Sequence, residues 1–249
     1  MRRRTLLSLA GAAALAAPGL APRAHAAPGG EVDLLLLLAV DVSRSMDEEE
    51  ARFQREGYAA ALQDPQVQAA IADGPHGAIA LAYLEWSGPE HQSLLLPWSR
   101  IGGAAEAAGC ADRLRAAPLT IGTWTSISAA LDRARETIAA APFAADRHVI
   151  DVSGDGVNNA GAAVEDARDR AVAAGIVING LPVMKEAPGG LPFGGGTMPL
   201  DEYFREQVVG GHGAFVLPAG DFGSFGVAVR RKLILEIAGV GPAARTAFG

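Results

Sequence analysis

Residues 32–46 read VDLLLLLAVDVSRSM, and this stretch is the strongest indication of the fold. Val32 to Val40 is almost unbroken apolar sequence, interrupted only by Asp33. A short apolar run bounded by polar residues is typical of a central strand in a parallel sheet, where both faces of the strand are buried. The run therefore predicts such a strand, and the polar residues after it mark the strand's carboxyl end.

Three oxygen-bearing side chains follow the predicted strand at alternate positions, namely Asp41, Ser43 and Ser45. In an extended chain this spacing places them on one side. One carboxylate and two hydroxyls form part of a site for a hard cation such as Mg²⁺. The same residues also fit a plain strand-to-helix turn, in which Ser45 or Asp47 caps a helix with an acidic first turn. These residues alone leave both interpretations open.

The first 26 residues have the pattern of a secretory signal peptide. Arginines at positions 2–4 precede an apolar stretch over residues 6–20, and Ala24-His25-Ala26 is a small-x-small cleavage signal before Ala27. The apolar stretch is short for a membrane span, and a retained anchor is the alternative. Twin-arginine and general secretory export both fit these arginines. We therefore expect a periplasmic or secreted mature chain that starts near Ala27 and contains no membrane span.

The composition limits the partners and the architecture. The formal charge falls from −7 to −11 on cleavage, because the leader contains four arginines and no acidic residue. This charge argues against nucleic acid as a partner, since such binding needs basic patches. Cys110 is the only cysteine, so the hydrophobic core must hold the fold without an intramolecular disulfide. The length predicts one domain over residues 27–238, followed by a tail over residues 239–249.

The rest of the sequence predicts alternating strands and helices. Ser87-Gly88-Pro89 predicts a turn between two antiparallel strands at an edge of the sheet. We expect the helix after Ser45 to bury a face that contains Phe53, Ala60 and Ala61, and we expect the Gly- and Pro-rich residues 185–199 to form a loop. The further strands are predicted at 78–86, 93–98, 148–153, 176–183 and 214–217, and the helices at 47–63, 104–116, 129–140, 162–174, 200–209 and 225–237.

This order predicts a doubly wound α/β fold, with a mostly parallel central sheet, one antiparallel edge strand and helices on both faces. In such sheets, ligands bind beyond the carboxyl ends of the strands. Oxygen-rich residues occur at 41–45, 123–128 and 153–159, where a strand or its loop leads into a helix. We expect these three stretches to converge at one rim of the sheet.

These stretches resemble the von Willebrand factor A domain and its metal-ion-dependent adhesion site. Asp41-Val42-Ser43-Arg44-Ser45 matches the family's D-x-S-x-S element, and Asp155-Gly156 matches its later Asp-Gly. Gly122-Thr123-Trp124-Thr125-Ser126-Ile127, followed by Ala130-Leu131, resembles the family's threonine loop. Alignment on Ala130-Leu131 selects Thr125 rather than Thr123 as the functional threonine.

The wider sequence is similar to a narrower group, the secreted bacterial von Willebrand factor A-like proteins assigned to a family of unknown function. Four segments carry this similarity, at residues 55–62, 84–88, 149–156 and 231–233. The similarity covers most of residues 31–238. It implies the fold and leaves the specific biological role open.

The resemblance implies a divalent cation, Mg²⁺ or else Mn²⁺ or Ca²⁺, with Asp41, Ser43, Ser45, Thr125 and Asp155 as its ligands. Water would complete the coordination, and an acidic residue of a protein partner could replace one water, as in adhesive members of the family. Arg44 departs from the family pattern, which often has a small residue there. A guanidinium next to a cation is repelled unless it points into solvent or pairs with an acid such as Glu48.

Three further residues are candidates for supporting positions around the ion: Asp151, Gly156 and Asn158. Asp151 shares strand parity with Ser153 and Asp155, and it fits either a supporting role or a buried pair with a base. Asn158 and its neighbour Asn159 favour the turn before the next helix.

The predicted function is a divalent-cation-dependent, adhesion-type protein-binding module that is not an enzyme. One alternative is a metal-dependent hydrolase that uses the same carboxylates and hydroxyls. The histidines at positions 76, 91, 148 and 212 have no zinc-type spacing, and the sequence has no G-x-S-x-G motif. The other alternative is a metal-free structural fold that retains the motif without using it.

Overall fold

The computed structural model of the protein describes residues 28–184, 198–220 and 222–239. The predicted signal peptide, most of the predicted loop at 185–199 and the tail from residue 240 lie outside the described residues. The described part contains one sheet with helices on both of its faces.

The sheet has five strands in the order β3-β2-β1-β4-β5. All neighbouring strands are parallel except β3, which pairs antiparallel with β2 at the edge. This arrangement confirms the predicted α/β fold and its edge hairpin. The strands are β1 (Leu35–Asp41), β2 (Ile79–Trp86), β3 (Gln92–Ile101), β4 (His148–Gly154) and β5 (Val177–Pro182).

Strand β1 lies at the centre because its side chains are apolar on both faces. Leu36, Leu38 and Val40 pack into the core on one face, and Leu35 and Leu37 pack into the core on the other. Every residue of β1 is buried. The carboxyl ends of β1 and β4 therefore lie side by side, at one end of the sheet.

Helices cover both faces of this sheet. The helices α1, α2, α3 and α7 share the core that contains Leu36, and α4 and α5 share the core that contains Leu37. No helix within the described ranges is long and apolar enough to cross a membrane. The helices are α1 (Glu48–Gln63), α2 (Pro65–Ala72), α3 (Ala104–Ala116), α4 (Ile127–Ala139), α5 (Val164–Ala173), α6 (Leu200–Tyr203), which continues as a π-helical turn (Phe204–Val208), and α7 (Phe222–Ala238).

The predicted inner face of α1 was partly wrong. Phe53 is 53% exposed and Ala60 is exposed, whereas Ala61 is buried as expected. The helix instead turns Gln54 and Arg55 inward, each at most 4% exposed. Gln54 Nε2 donates to the carbonyl of Asp41, and Arg55 pairs with buried Glu85.

The predicted strand at 214–217 was also wrong. This segment makes only isolated bridges, from Val216 to Gly180 and from Ala219 to Val183. The amide of Phe215 donates to the side chain of Asn179 instead of a neighbouring strand, and Pro218 has no amide hydrogen to donate. A regular ladder therefore does not form along this segment.

Candidate metal-binding site

The turn after β1 presents the first three candidate ligands. Asp41 is the last residue of β1, and its Oδ1 accepts a hydrogen bond of 2.7 Å from the backbone N–H of Ser43. Asp47 caps α1 through a capping box with Glu50. Asp47, and not Ser45, is therefore the residue that caps α1.

Four of the predicted ligands form one hydrogen-bonded cluster. The hydroxyls of Ser43 and Ser45 lie 3.1 Å apart, and the Ser45 hydroxyl donates to Asp155 Oδ1 at 2.5 Å. Asp41, Ser43 and Asp155 are at most 1% exposed, whereas Ser45 is half-buried. The structure thus brings the end of β1 and the loop after β4 together, although Ser45 and Asp155 are 110 residues apart in the chain.

Thr125 lies on a loop that is tied to the same end of the sheet. Gly122 N–H donates to the carbonyl of Val42 at 2.8 Å. Thr125 is 5% exposed, and a Cβ built on Gly156 would lie 3.8 Å from its Oγ1. Thr123, in contrast, is exposed. Thr125 therefore faces the loop that contains Asp155.

Asn159 holds this threonine through two hydrogen bonds. Its Oδ1 accepts from the backbone N–H of Thr125 at 2.9 Å, and its own N–H donates to the carbonyl of Thr125 at 2.8 Å. The sequence indicated only a turn-forming asparagine here. No local pattern could have shown this contact, because the two residues are 34 positions apart.

The two carboxylates of the site repel each other. Burial, and secondly the charge of Asp155, raise the pKa of Asp41 to about 8, while the hydrogen bonds from Ser43 oppose this shift. Asp41 Oδ2 is buried and has no hydrogen-bond partner among the described residues. A Cβ on Gly154 would lie 2.9 Å from this oxygen, so a larger residue there would crowd the Asp41 carboxylate.

The donor set fits a hard divalent cation. It contains two carboxylates and three hydroxyls and no nitrogen or sulfur, which is the chemistry that Mg²⁺, Mn²⁺ or Ca²⁺ prefers. The buried Asp41 Oδ2 is an acceptor that such an ion would satisfy. In the described part of the chain, no three His, Cys, Asp or Glu side chains group into a metal site, so these hydroxyls are essential to the candidate.

The candidate supporting residues have separate roles. Asp151 Oδ1 lies 2.6 Å from Lys232 Nζ, and both side chains are fully buried. Asp151 is therefore the buried partner of a base. It lies on the opposite face of β4 from Val152. Asn158 accepts from Ser128 N–H and donates to the carbonyl of Ala162, which fits the turn-forming role.

A sequence family described as "Protein of unknown function (DUF1194)" matches residues 31–241. The chain belongs to this family. The match covers all five strands and all seven helices of the described part. No curated protein matches the chain by sequence.

Several solved structures share the fold. Proximal thread matrix protein 1 from the mussel byssus superposes with a TM-score of 0.61 at 13% identity, over 84% of this chain and 48% of that chain. The von Willebrand factor type A protein from Catenulispora acidiphila gives 0.57 at 12%, over 84% and 43%. The pilus adhesin SpaC from Lactobacillus rhamnosus GG gives 0.57 at 12%, over 83% and 30%. The chain thus has a von Willebrand factor A-like fold, and it spans less than half the length of these proteins.

Proposed function

We propose that this protein is an adhesion-type binding module whose contact with a protein partner depends on a divalent cation. The ligands would be Asp41, Ser43, Ser45, Thr125 and Asp155. The observation that carries the proposal is the hydrogen-bonded cluster of Ser43, Ser45 and Asp155 beside the buried, unpartnered Asp41 Oδ2.

The electrostatics of the site support a cation. Two buried carboxylates side by side are costly to ionise, since burial and mutual repulsion both disfavour their charged forms. A divalent cation would offset both charges at once. When bound, it would supply an electrophilic position that attracts a carboxylate from outside, and the chain's own residues would hold it in place.

The names of structural relatives point the same way. One structure of the mussel protein is described as having a zinc-occupied MIDAS motif, and SpaC is described as a pilus adhesin. We extend only the general idea of a divalent ion at a binding surface to this chain. The oxygen-only donor set favours Mg²⁺, Mn²⁺ or Ca²⁺ over Zn²⁺, which prefers nitrogen and sulfur ligands. The signal-peptide pattern supports action in the periplasm or outside the cell.

Calorimetric titration of each ion into the chelator-treated mature protein tests this proposal. We expect one site per chain in the wild type and loss of binding in Asp155→Ala. Asp132→Ala is the matched control, because Asp132 pairs with Arg170 on the helices α4 and α5 and is outside the site. Equal ion binding by wild type and Asp155→Ala would overturn the ligand assignment. Metal-dependent phosphoesterase activity abolished by Asp41→Asn would instead favour a hydrolase.

A further inference from the structure

Arg44 and Trp124 are two side chains next to the candidate ion site that the site itself does not use. Arg44 lies between Ser43 and Ser45 in the chain and is exposed. Trp124 is 59% exposed, although the next residue, Thr125, is only 5% exposed. Tryptophan and arginine are the residues that most often dominate binding energy at protein interfaces. Their exposure here indicates a surface for a partner.

One backbone hydrogen bond limits the distance between these two residues. Gly122 N–H donates to the carbonyl of Val42 at 2.8 Å. Arg44 and Trp124 each lie two residues from this bond, so their Cα atoms are separated by roughly 20 Å or less. An extended segment of about six residues covers this distance. A short stretch of a partner is therefore long enough to reach from one residue to the other.

The charge of Arg44 favours an acidic residue in this stretch of the partner. Arg44 has no ion pair within the described ranges, and Glu48, the acid that the sequence offered it, pairs with Arg52 at 3.1 Å. A guanidinium beside a bound cation is repelled by it. A carboxylate that approaches from solvent would be attracted by both charges, and it would relieve the repulsion between them.

The first turn of α1 limits how acidic the partner stretch is. It holds Glu48, Glu49 and Glu50, and Asp47 precedes it. Glu49 is exposed and extends the negative charge on this side of Arg44. A run of acidic residues would be repelled here, whereas one acidic residue placed between Arg44 and the ion would not.

We propose that Arg44 and Trp124 recognise a protein segment that carries a single acidic residue beside a bulky apolar residue. Arg44 donates to the carboxylate that faces the ion, and Trp124 covers the apolar neighbour. This inference rests on the proposed function, because the carboxylate is the one that the ion attracts.

Capped hexapeptides provide the test, with Mn²⁺ binding measured first on every protein. One peptide has a single aspartate between two leucines. The others replace the aspartate by asparagine, replace both leucines by serine, or consist of glutamate throughout. Quenching of tryptophan fluorescence reports binding, because Trp124 is exposed whereas Trp86 is buried and Trp98 is half-buried. The wild type should bind the first peptide more tightly than the other three, and only with Mn²⁺ present.

Two variants separate this inference from the proposed function. Arg44→Gln should bind Mn²⁺ at least as tightly as the wild type, since a repelling charge is gone, and should bind the first peptide about tenfold more weakly. Trp124→Ala, followed by polarisation of a labelled peptide, should show a similar loss with unchanged Mn²⁺ binding. Arg52→Gln and Phe53→Ala are the matched controls, because they remove an exposed arginine and an exposed aromatic from α1.

Three results would overturn the inference. Binding of Mn²⁺ without any peptide binding at millimolar concentrations would leave the ion site and remove the recognition surface. Tightest binding of the all-glutamate peptide would show that the acidic first turn of α1 does not repel a run of acidic residues. A metal-dependent dimer that Trp124→Ala abolishes would make a second copy of this chain the occupant. Absence of Mn²⁺ binding would instead refute the proposed function itself.

Discussion

Among single residues, Asn159 holds the backbone of Thr125 in position. Its two hydrogen bonds to the backbone of Thr125 join the threonine loop to the loop after β4. Residues that orient a metal ligand without touching the ion commonly change metal affinity by tenfold or more. Asn159 is therefore a positioning residue for the candidate site.

Replacing Asn159 by alanine should weaken Mn²⁺ binding about tenfold, because the Thr125 amide loses its acceptor. The free energy of unfolding without metal should fall by only about 1 kcal/mol. Thr123→Ala is the control, since Thr123 is an exposed residue of the same loop. Titration calorimetry and urea unfolding measure the two effects. Identical Mn²⁺ affinity in both variants would contradict this role for Asn159.

Gly122 permits a close approach between two loops. A Cβ added there would overlap the Ser87 hydroxyl, and the amide of the same residue holds the carbonyl of Val42. We expect Gly122→Ala to lower the free energy of unfolding by about 1–3 kcal/mol. Gly109→Ala should raise it by up to about 1 kcal/mol, because Gly109 is an exposed residue inside α3 with open space around it. Urea unfolding of both variants checks the opposite signs.

The sequence predicted those site residues whose relation is local. Asp41, Ser43 and Ser45 occupy alternate positions, and the rule for extended chain grouped them. The structure brings them together differently, because residues 43–46 form a turn in which Met46 N–H donates to the carbonyl of Ser43. The contact from Ser45 to Asp155, and that from Asn159 to Thr125, needs the fold to bring distant residues together. The predicted sheet indicated the stretches that contain Thr125 and Asp155, the family resemblance selected these two residues, and nothing indicated the role of Asn159.

Among the helices and strands, buried polar groups explain the two predictions that were wrong, namely the inner face of α1 and the strand at 214–217. A hydrophobicity pattern placed Phe53 on the inner face of α1, but Arg55 occupies that face through its paired bonds to Glu85. Asn179 likewise takes the amide that a strand at 214–217 would have used. Patterns of apolar residues cannot show such partners, because each one depends on a group from another element.

Helix α7 is held to the sheet by a buried ion cluster. Lys232 Nζ lies 2.6 Å from Asp151 Oδ1 on β4 and 2.5 Å from Glu236 Oε1 on α7 itself. Asn179 of β5 also donates to Glu236. The cluster has two acids and one base, so it favours retention of a proton on one acid at neutral pH.

Removing the buried base Lys232 should lower the free energy of unfolding more than removing an exposed charge. Lys232→Met leaves two buried carboxylates without a cation and should lower the free energy of unfolding by about 3–5 kcal/mol at neutral pH. Arg231→Met, on the exposed side of α7, should have little effect. Adding Asp151→Asn and Glu236→Gln to Lys232→Met should recover much of the loss. A small effect of Lys232→Met in urea unfolding would refute the cluster's role.

The same cluster predicts a pH dependence. Burial, and secondly the charge of Asp151, raise the pKa of Glu236 from 4.5 to about 7, against the opposing effects of Lys232 and Asn179. The folded chain keeps a proton that the unfolded chain has lost, so the free energy of unfolding should fall as pH rises from about 4.5 to about 7. The raised pKa of Asp151 acts in the same direction.

Glu236→Gln isolates this contribution, because its amide cannot lose the proton. Relative to the variant, the wild type should lose roughly 3 kcal/mol across this interval. Urea unfolding at a series of pH values measures the difference. Parallel curves for the two proteins would mean that Glu236 is ionised in the folded state throughout, and would contradict the assignment.

At the scale of the whole molecule, the sheet order explains where the candidate site lies. The chain leaves β1 for β2 and β3 on one side and later returns to β4 on the other side of β1. The connections therefore diverge at the carboxyl end of β1, where open α/β sheets bind their ligands. Asp41 ends β1, and Asp155 directly follows β4. The sequence predicted the class of fold, because each strand and helix has its own local residue pattern. The order of the strands depends on pairing between distant segments, and only the structure shows it.

Thermal unfolding of the chelator-treated mature chain, with and without Mn²⁺, is the direct test of a working ion site. An ion at 100 times its dissociation constant should add about 2.7 kcal/mol, which is roughly 5–11 °C in melting temperature for a domain of this size. We expect this rise in the wild type and in Asp132→Ala, and no rise in Asp155→Ala. An equal melting temperature with and without millimolar Mn²⁺ in the wild type would contradict a working ion site.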